Sequence, residues 1–202
     1  MSGWNDSLSP RIQERLAAIG DLSPEEKELM RNSDKIDAIL SEFYSSKIDA
    51  DGLWEKLKDH ISHGGNASLL RDIQIRLIDS LKLESPREDF IKRADAVLAI
   101  ETIKDVQNTS AVEQCLHSLN KLRKNYEETI SQAYENLQQQ MEKNPQLRME
   151  QVRQGNNTSM VQLSVDEAIK RNPQWKEFIS QQEMVHAQEF EGILQALKAD
   201  IK

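Results

Sequence analysis

The sequence predicts an all-α protein, with an N-terminal cluster of short helices and a bridging helix leading into a long, coiled-coil-like C-terminal antiparallel helical hairpin. Three observations lead there. Leu and Ile outnumber Val 38 to 7, and a chain poor in Val and in turn-forming residues favours helix over strand. Gly and Pro together make 12 of the 202 residues, about half the usual ~12% share. All five prolines follow a Ser or Asn: Ser9-Pro10, Ser23-Pro24, Ser85-Pro86, Asn144-Pro145 and Asn172-Pro173. A Ser or Asn cap accepts a bond from a free backbone N–H, and a proline just after it needs no donor and already holds a helical φ. The prolines therefore mark where helices begin.

A flexible N-terminus is expected over 1–8. A first helix over 10–18 sets Ile12, Leu16 and Ile19 on one face and stops at Gly20. The second runs from Pro24 toward Ser46, with Ser23 and Glu26 as a capping box and Leu29, Ile36, Ile39, Leu40 and Phe43 at helical spacing, and Asn32-Ser33-Asp34 either bends it or caps a separate helix. Asp51 is expected to cap a short helix carrying Leu53, Trp54, Leu57 and Ile61 that stops at Gly64-Gly65, and Asn66 to cap the next, to about Leu83. In that helix Ile73, Ile75 and Leu77 also alternate like a strand, but length and the absence of turn residues decide for helix. Ser85 and Glu88 make a second capping box at the head of the bridging helix, 86–107, whose apolar residues drift from one side to the other. A helix apolar nearly all round is buried, or meets different neighbours along its length. With it the N-terminal domain spans 9–107.

The helical hairpin occupies 109–202. Its first helix, about 110–143, keeps Val112, Cys115, Leu119, Leu122 and Tyr126 at the 3–4 spacing of a seam. A polar, mobile loop is expected near 144–164, centred on 155–160, with room for a short helix after Pro145. Ser164 and Glu167 form a third capping box before the last helix, which starts at Val165 and breaks or kinks at Asn172-Pro173. Its stripe is Trp175, Phe178, Ile179, Phe190, Ile193 and Leu197.

Composition excludes several function classes. The longest apolar run, 96–100, is far short of the ~20 residues a membrane span needs, so no integral membrane segment is expected. The opening residues lack a basic-then-apolar signal, and the single Cys115 favours a reducing, cytoplasmic setting. That thiol reads as a small packed hydrophobe. Net charge is −8, and the densest basic stretch, Lys121-Leu-Arg123-Lys124, runs straight into Glu127 and Glu128. Nucleic acid is therefore not an expected partner.

No phosphate loop, nucleophile elbow or His-Glu-x-x-His helix is present. His60 and His63, with Asp59 nearby, sit where a helix C-terminus favours positive charge. Glu183 and His186 have the Glu-x-x-His spacing of metal-binding bundles, with Glu189 on the same face. Glu113 and His117 are one residue too far apart to supply the second half. A polar break in an apolar seam more often fixes pairing.

The expected function is therefore a non-enzymatic cytoplasmic interaction module, an adaptor or chaperone-like protein without cofactors, with an unidentified protein partner or a second copy as a homodimer. Its contact residues would be Leu119, Leu122, Tyr126, Trp175, Phe178, Ile179, Gln182, His186, Phe190, Ile193 and Leu197. The alternative is a carboxylate/His metal-binding bundle, protein or enzyme, around Glu183, His186 and Glu189.

Overall fold

The computed structural model describes residues 23–63, 68–154 and 157–201. The expected flexible 1–8 segment, the helix at 10–18 with its stop at Gly20, and the Gly64-Gly65 and Asn66 signals lie outside these residues. Two compact units emerge, the first ending at Ile73 and the second beginning at Gln74.

In the first unit, α1 (Pro24–Tyr44) starts at its proline and continues through Asn32-Ser33-Asp34 without interruption. Ile36, Leu40 and Phe43 recur every three or four residues and are buried. The helix closes when Ser46 turns to a φ of 57°. Ser46 N–H then donates to the Phe43 carbonyl and Lys47 N–H to that of Glu42, which caps the free carbonyls of the last turn. The cap of α2 (Ala50–Ser62) is Asp49 rather than the expected Asp51, with its side chain accepting from Gly52 N–H at 2.9 Å. Asp51 falls in the first turn, where its charge favours the helix N-terminus. Leu53 and Leu57 of α2, with Leu69, Leu70 and Ile73 on α3 (Ser68–Asp79), are buried. The helical reading of α3 holds against the strand-like alternation, and the boundary between the units falls inside this helix.

The bridging helix α4 (Arg87–Glu101) belongs to the second unit and is shorter than 86–107. Its cap position is Pro86, without a side-chain cap bond, so the expected Ser85/Glu88 box does not form. Ser85 is buried, and its carbonyl accepts from Arg123 Nη1 at 3.4 Å. The apolar drift has a simple cause. The chain turns after Glu101, with Thr102 and Ile103 N–H bonding Ala99 and Ile100 carbonyls, so Ile103 and Val106 are not on the helix at all.

A buried polar knot holds that corner. Gln74 Nε2 donates to the Val97 carbonyl and to Glu101 Oε2, both at 2.9 Å. Glu101 also pairs with Lys104 at 2.9 Å and accepts from Asn108 N–H at 2.8 Å. Burial pushes the Glu101 carboxyl up, but the bonds from Lys104, Gln74 and Asn108, with the Lys104 charge, outweigh it and hold the pKa below the ordinary value.

The two long helices are α5 (Thr109–Lys143) and α7 (Pro173–Asp200), of 35 and 28 residues. At 1.5 Å per residue α5 is about 50 Å long. They run antiparallel, since Cys115 meets Asp200, Tyr126 meets His186 and Tyr134 meets Trp175. Phe90 of α4 packs edge-on to Phe190 of α7, and the buried Arg123 guanidinium lies 5.5 Å over the same Phe90 ring. The break at Asn172 is complete: α6 (Val165–Arg171) ends there, and Asn172 caps α7 through Gln174 and Trp175 N–H. The Ser164/Glu167 capping box is present.

The expected loop near 144–164 is largely ordered backbone. A 3₁₀ turn over Pro145–Arg148 leads into β1 (Met149–Gln154), which pairs antiparallel with β2 (Asn157–Gln162). Strand thus replaces the loop expected at 157–160. The missed signal is Gly155-Asn156, a two-residue, Gly-first connection between the paired Gln154 and Asn157, which is a hairpin signature.

Candidate interaction surface

The predicted contact stripe divides in two. Leu119, Leu122, Tyr126, Phe190 and Leu197 are buried and close the helical hairpin on itself. Trp175, Phe178, Ile179, Gln182, His186 and Ile193 are half-buried. The stripe expected to meet a partner is thus, in its buried half, the seam of the chain's own fold. Its buried line on α7 is Phe190, Leu194 and Leu197, so Leu194 holds the central place that the sequence reading assigns to Ile193.

His186 is half-buried on α7. Its Nδ1 lies 2.9 Å from the Gln182 carbonyl, and its ring centroid lies 5.4 Å from that of Tyr126. Burial raises the Tyr126 phenol, and the charges of Glu183 and Glu84 raise it further. Glu189 is exposed and lines a different place, an open groove of about 760 Å³ between α5 and α7. Glu183, His186 and Glu189 therefore do not converge. Among the described residues no three His, Cys, Asp or Glu side chains stand where they could hold a metal, and this covers Asp59, His60 and His63. His63 Nδ1 instead bonds the Asp59 carbonyl at 2.8 Å.

Cys115 lines the same groove beside Ser118, Gly192 and Ala196. Burial pushes its thiol pKa up, and Asp200, with a carboxylate oxygen 3.9 Å away, pushes it further. That environment suppresses the thiolate a nucleophile requires.

The surface that sequence reasoning missed is at the far end of the helical hairpin. There Met141, Ala168 and Ile169 form a small core, with Tyr134, Leu137, Leu163, Val165 and Trp175 packed against it. Trp175 stacks on Phe178 at 5.7 Å, and Tyr134 donates its hydroxyl to Asp166 at 2.6 Å. The β-hairpin is tied to this core by an Arg171–Glu150 ion pair and by Leu163 N–H bonding the Arg148 carbonyl. Outside the core, Leu147 (59%), Met149 (42%), Met160 (59%) and Val161 (42%) are exposed. Met149 and Met160 are diagonal neighbours on one sheet face, because Met160 pairs with Gln151, two residues on from Met149. Three of the six methionines, Met141, Met149 and Met160, fall in this short stretch, and that clustering was the available clue.

No helix among the described residues is long and apolar enough to cross a membrane. No curated protein and no solved structure matches the chain. One family model does, over residues 54–202, and by that match the chain belongs to the family of unknown function DUF6657.

Proposed function

We propose that this protein is a non-enzymatic interaction module of the cytoplasm, an adaptor or chaperone-like protein that binds a protein partner through the distal end of its helical hairpin. The observation that carries this reading is the exposed pair Met149 and Met160 on one face of the β-hairpin, with Leu147 also exposed and Val161 exposed on the other face, at the packed distal end. Exposed apolar patches mark interaction sites, and methionine suits them because its flexible, polarisable side chain adapts to varied partners. Half-buried Trp175 and Phe178 line a groove of about 290 Å³ beside the same core, with Leu137 and Gln140 opposite. Aromatic side chains partly buried at a surface are the residue types that anchor interfaces.

The test is co-purification from the native host with mass spectrometry, using the parent chain and the Leu147→Lys/Met149→Lys double variant. A protein recovered with the parent should bind the purified parent saturably and lose at least tenfold in affinity for the variant, whose melting temperature stays at the parental value. Equal binding by both chains, or no saturable binder for the parent, would remove this reading.

A further inference from the structure

We infer that the protein forms a twofold dimer by pairing β2 of one copy with β2 of a second, making a four-stranded antiparallel sheet with Met160 at the twofold axis. This inference rests on reading the distal end as an interaction surface and names one occupant of it.

The argument starts from the hydrogen-bond phase of the β-hairpin. Leu163 N–H donates to the Arg148 carbonyl at 2.8 Å, so that pair is of the hydrogen-bonded type. Antiparallel pairs alternate. The register Glu150↔Val161 and Val152↔Ser159 is then bonded across the β-hairpin. The pairs Met149↔Gln162, Gln151↔Met160 and Arg153↔Thr158 turn their backbone groups outward. On the β1 side that row is partly occupied, since Met149 N–H already bonds the Gln146 carbonyl. On the β2 side nothing among the described residues bonds the outward backbone of Met160 or Gln162.

That open edge carries none of the devices that normally protect one. β2 reads Asn-Thr-Ser-Met-Val-Gln, with no charge, no proline and no glycine, whereas unpaired edges are usually blunted by lysine, proline or bulges. An isolated two-stranded sheet is also marginal in water, and extra strands stabilise it.

Self-pairing suits this edge because its outward residues, 158, 160 and 162, are symmetric about Met160. A twofold axis there sets Met160 against Met160 of the second copy, and each Thr158 against the other copy's Gln162. Every outward N–H and carbonyl then meets its complement, and no like charges are opposed. Registers centred elsewhere leave part of the row unpaired. Met149 and Met160 share a face, so the dimer carries one continuous methionine ridge across both copies, doubling the apolar surface available to a partner.

The axis position makes a specific test possible. Met160 is exposed and its N–H points away from β1, so M160K and M160E should melt like the parent at dilutions where the parent is monomeric. Each sets like charges against each other at the axis, which destabilises a cross-strand pair. Sedimentation equilibrium of the full chain at high micromolar concentration should give twice 23.2 kDa for the parent. M160K alone and M160E alone should self-associate at least tenfold more weakly, and an equimolar mixture of the two should recover the dimer. A monomeric parent, unweakened association of M160K, or a mixture that stays monomeric would each overturn the inference. A monomeric parent that still binds a partner through Met149 would sink the dimer and leave the module reading standing. A dimer that binds no partner would do the reverse.

Discussion

At Glu101 a carboxylate is almost fully buried, and its neighbours, not its own preference, make that tolerable. Lys104, Gln74 and the Asn108 N–H all donate to it. Its folded-state pKa is lowered from the ordinary 4.5, so the charged form stabilises the fold above that value. The contribution fades as pH falls through the lower folded value. Glu101→Ala removes the acceptor from all three donors and should cost about 3–5 kcal/mol at neutral pH. Urea melts across pH should show the gap between variant and parent narrowing once pH drops below the ordinary carboxylate pKa. A gap that is constant down to strongly acid pH would mean the carboxylate is not the stabilising species. None of this is legible in the sequence, because helical periodicity treats Glu101 as one more polar residue. His186 is the opposite case. Its place in the α7 stripe was readable from spacing, while its neighbour Tyr126, sixty residues away in sequence, was not.

Element boundaries depend on local chemistry, and most were readable for that reason. Pro24, Pro145 and Pro173 open their helices, and Ser164 with Glu167 forms the expected box. The misses are also local. Asp49 outcompetes Asp51 as a cap because its side chain reaches Gly52 N–H. The β-hairpin is hidden in the sequence because Gly155-Asn156 sits among polar residues that read together as one loop. The closing turn of α1 offers a prediction at this scale. Ser46 holds a φ of 57°, where a Cβ is disfavoured and glycine is the usual occupant. Ser46→Gly should therefore raise stability by about 0.5–1 kcal/mol, seen as a higher urea midpoint with an unchanged slope. A lower midpoint would show that the serine side chain contributes more than its backbone strain costs.

At the scale of the whole molecule, the chain divides into two compact units, the first ending at Ile73 and the second beginning at Gln74. Leu57 is fully buried in the first, and Leu57→Ala should cost about 2–5 kcal/mol through lost burial and the cavity left behind. Hydrogen exchange read by mass spectrometry should quicken in α1 and α2. Unchanged protection there would show that Leu57 does not support that core. Gln74, where the second unit begins, is bonded to α4 of that same unit.

What the sequence by itself determined is therefore the all-α class, the helix starts at Pro24, Val165 and Pro173, and the antiparallel pairing of α5 with α7. Those follow from caps and a 3–4 apolar period, which act within a turn or two of the chain. What only the tertiary structure decided is which half of the apolar stripe lies inside, how Glu101 and Arg123 are buried, and which side chains are left exposed at the distal end. Burial of a polar or apolar group depends on what a distant element brings against it. Neighbours along the chain carry no record of that.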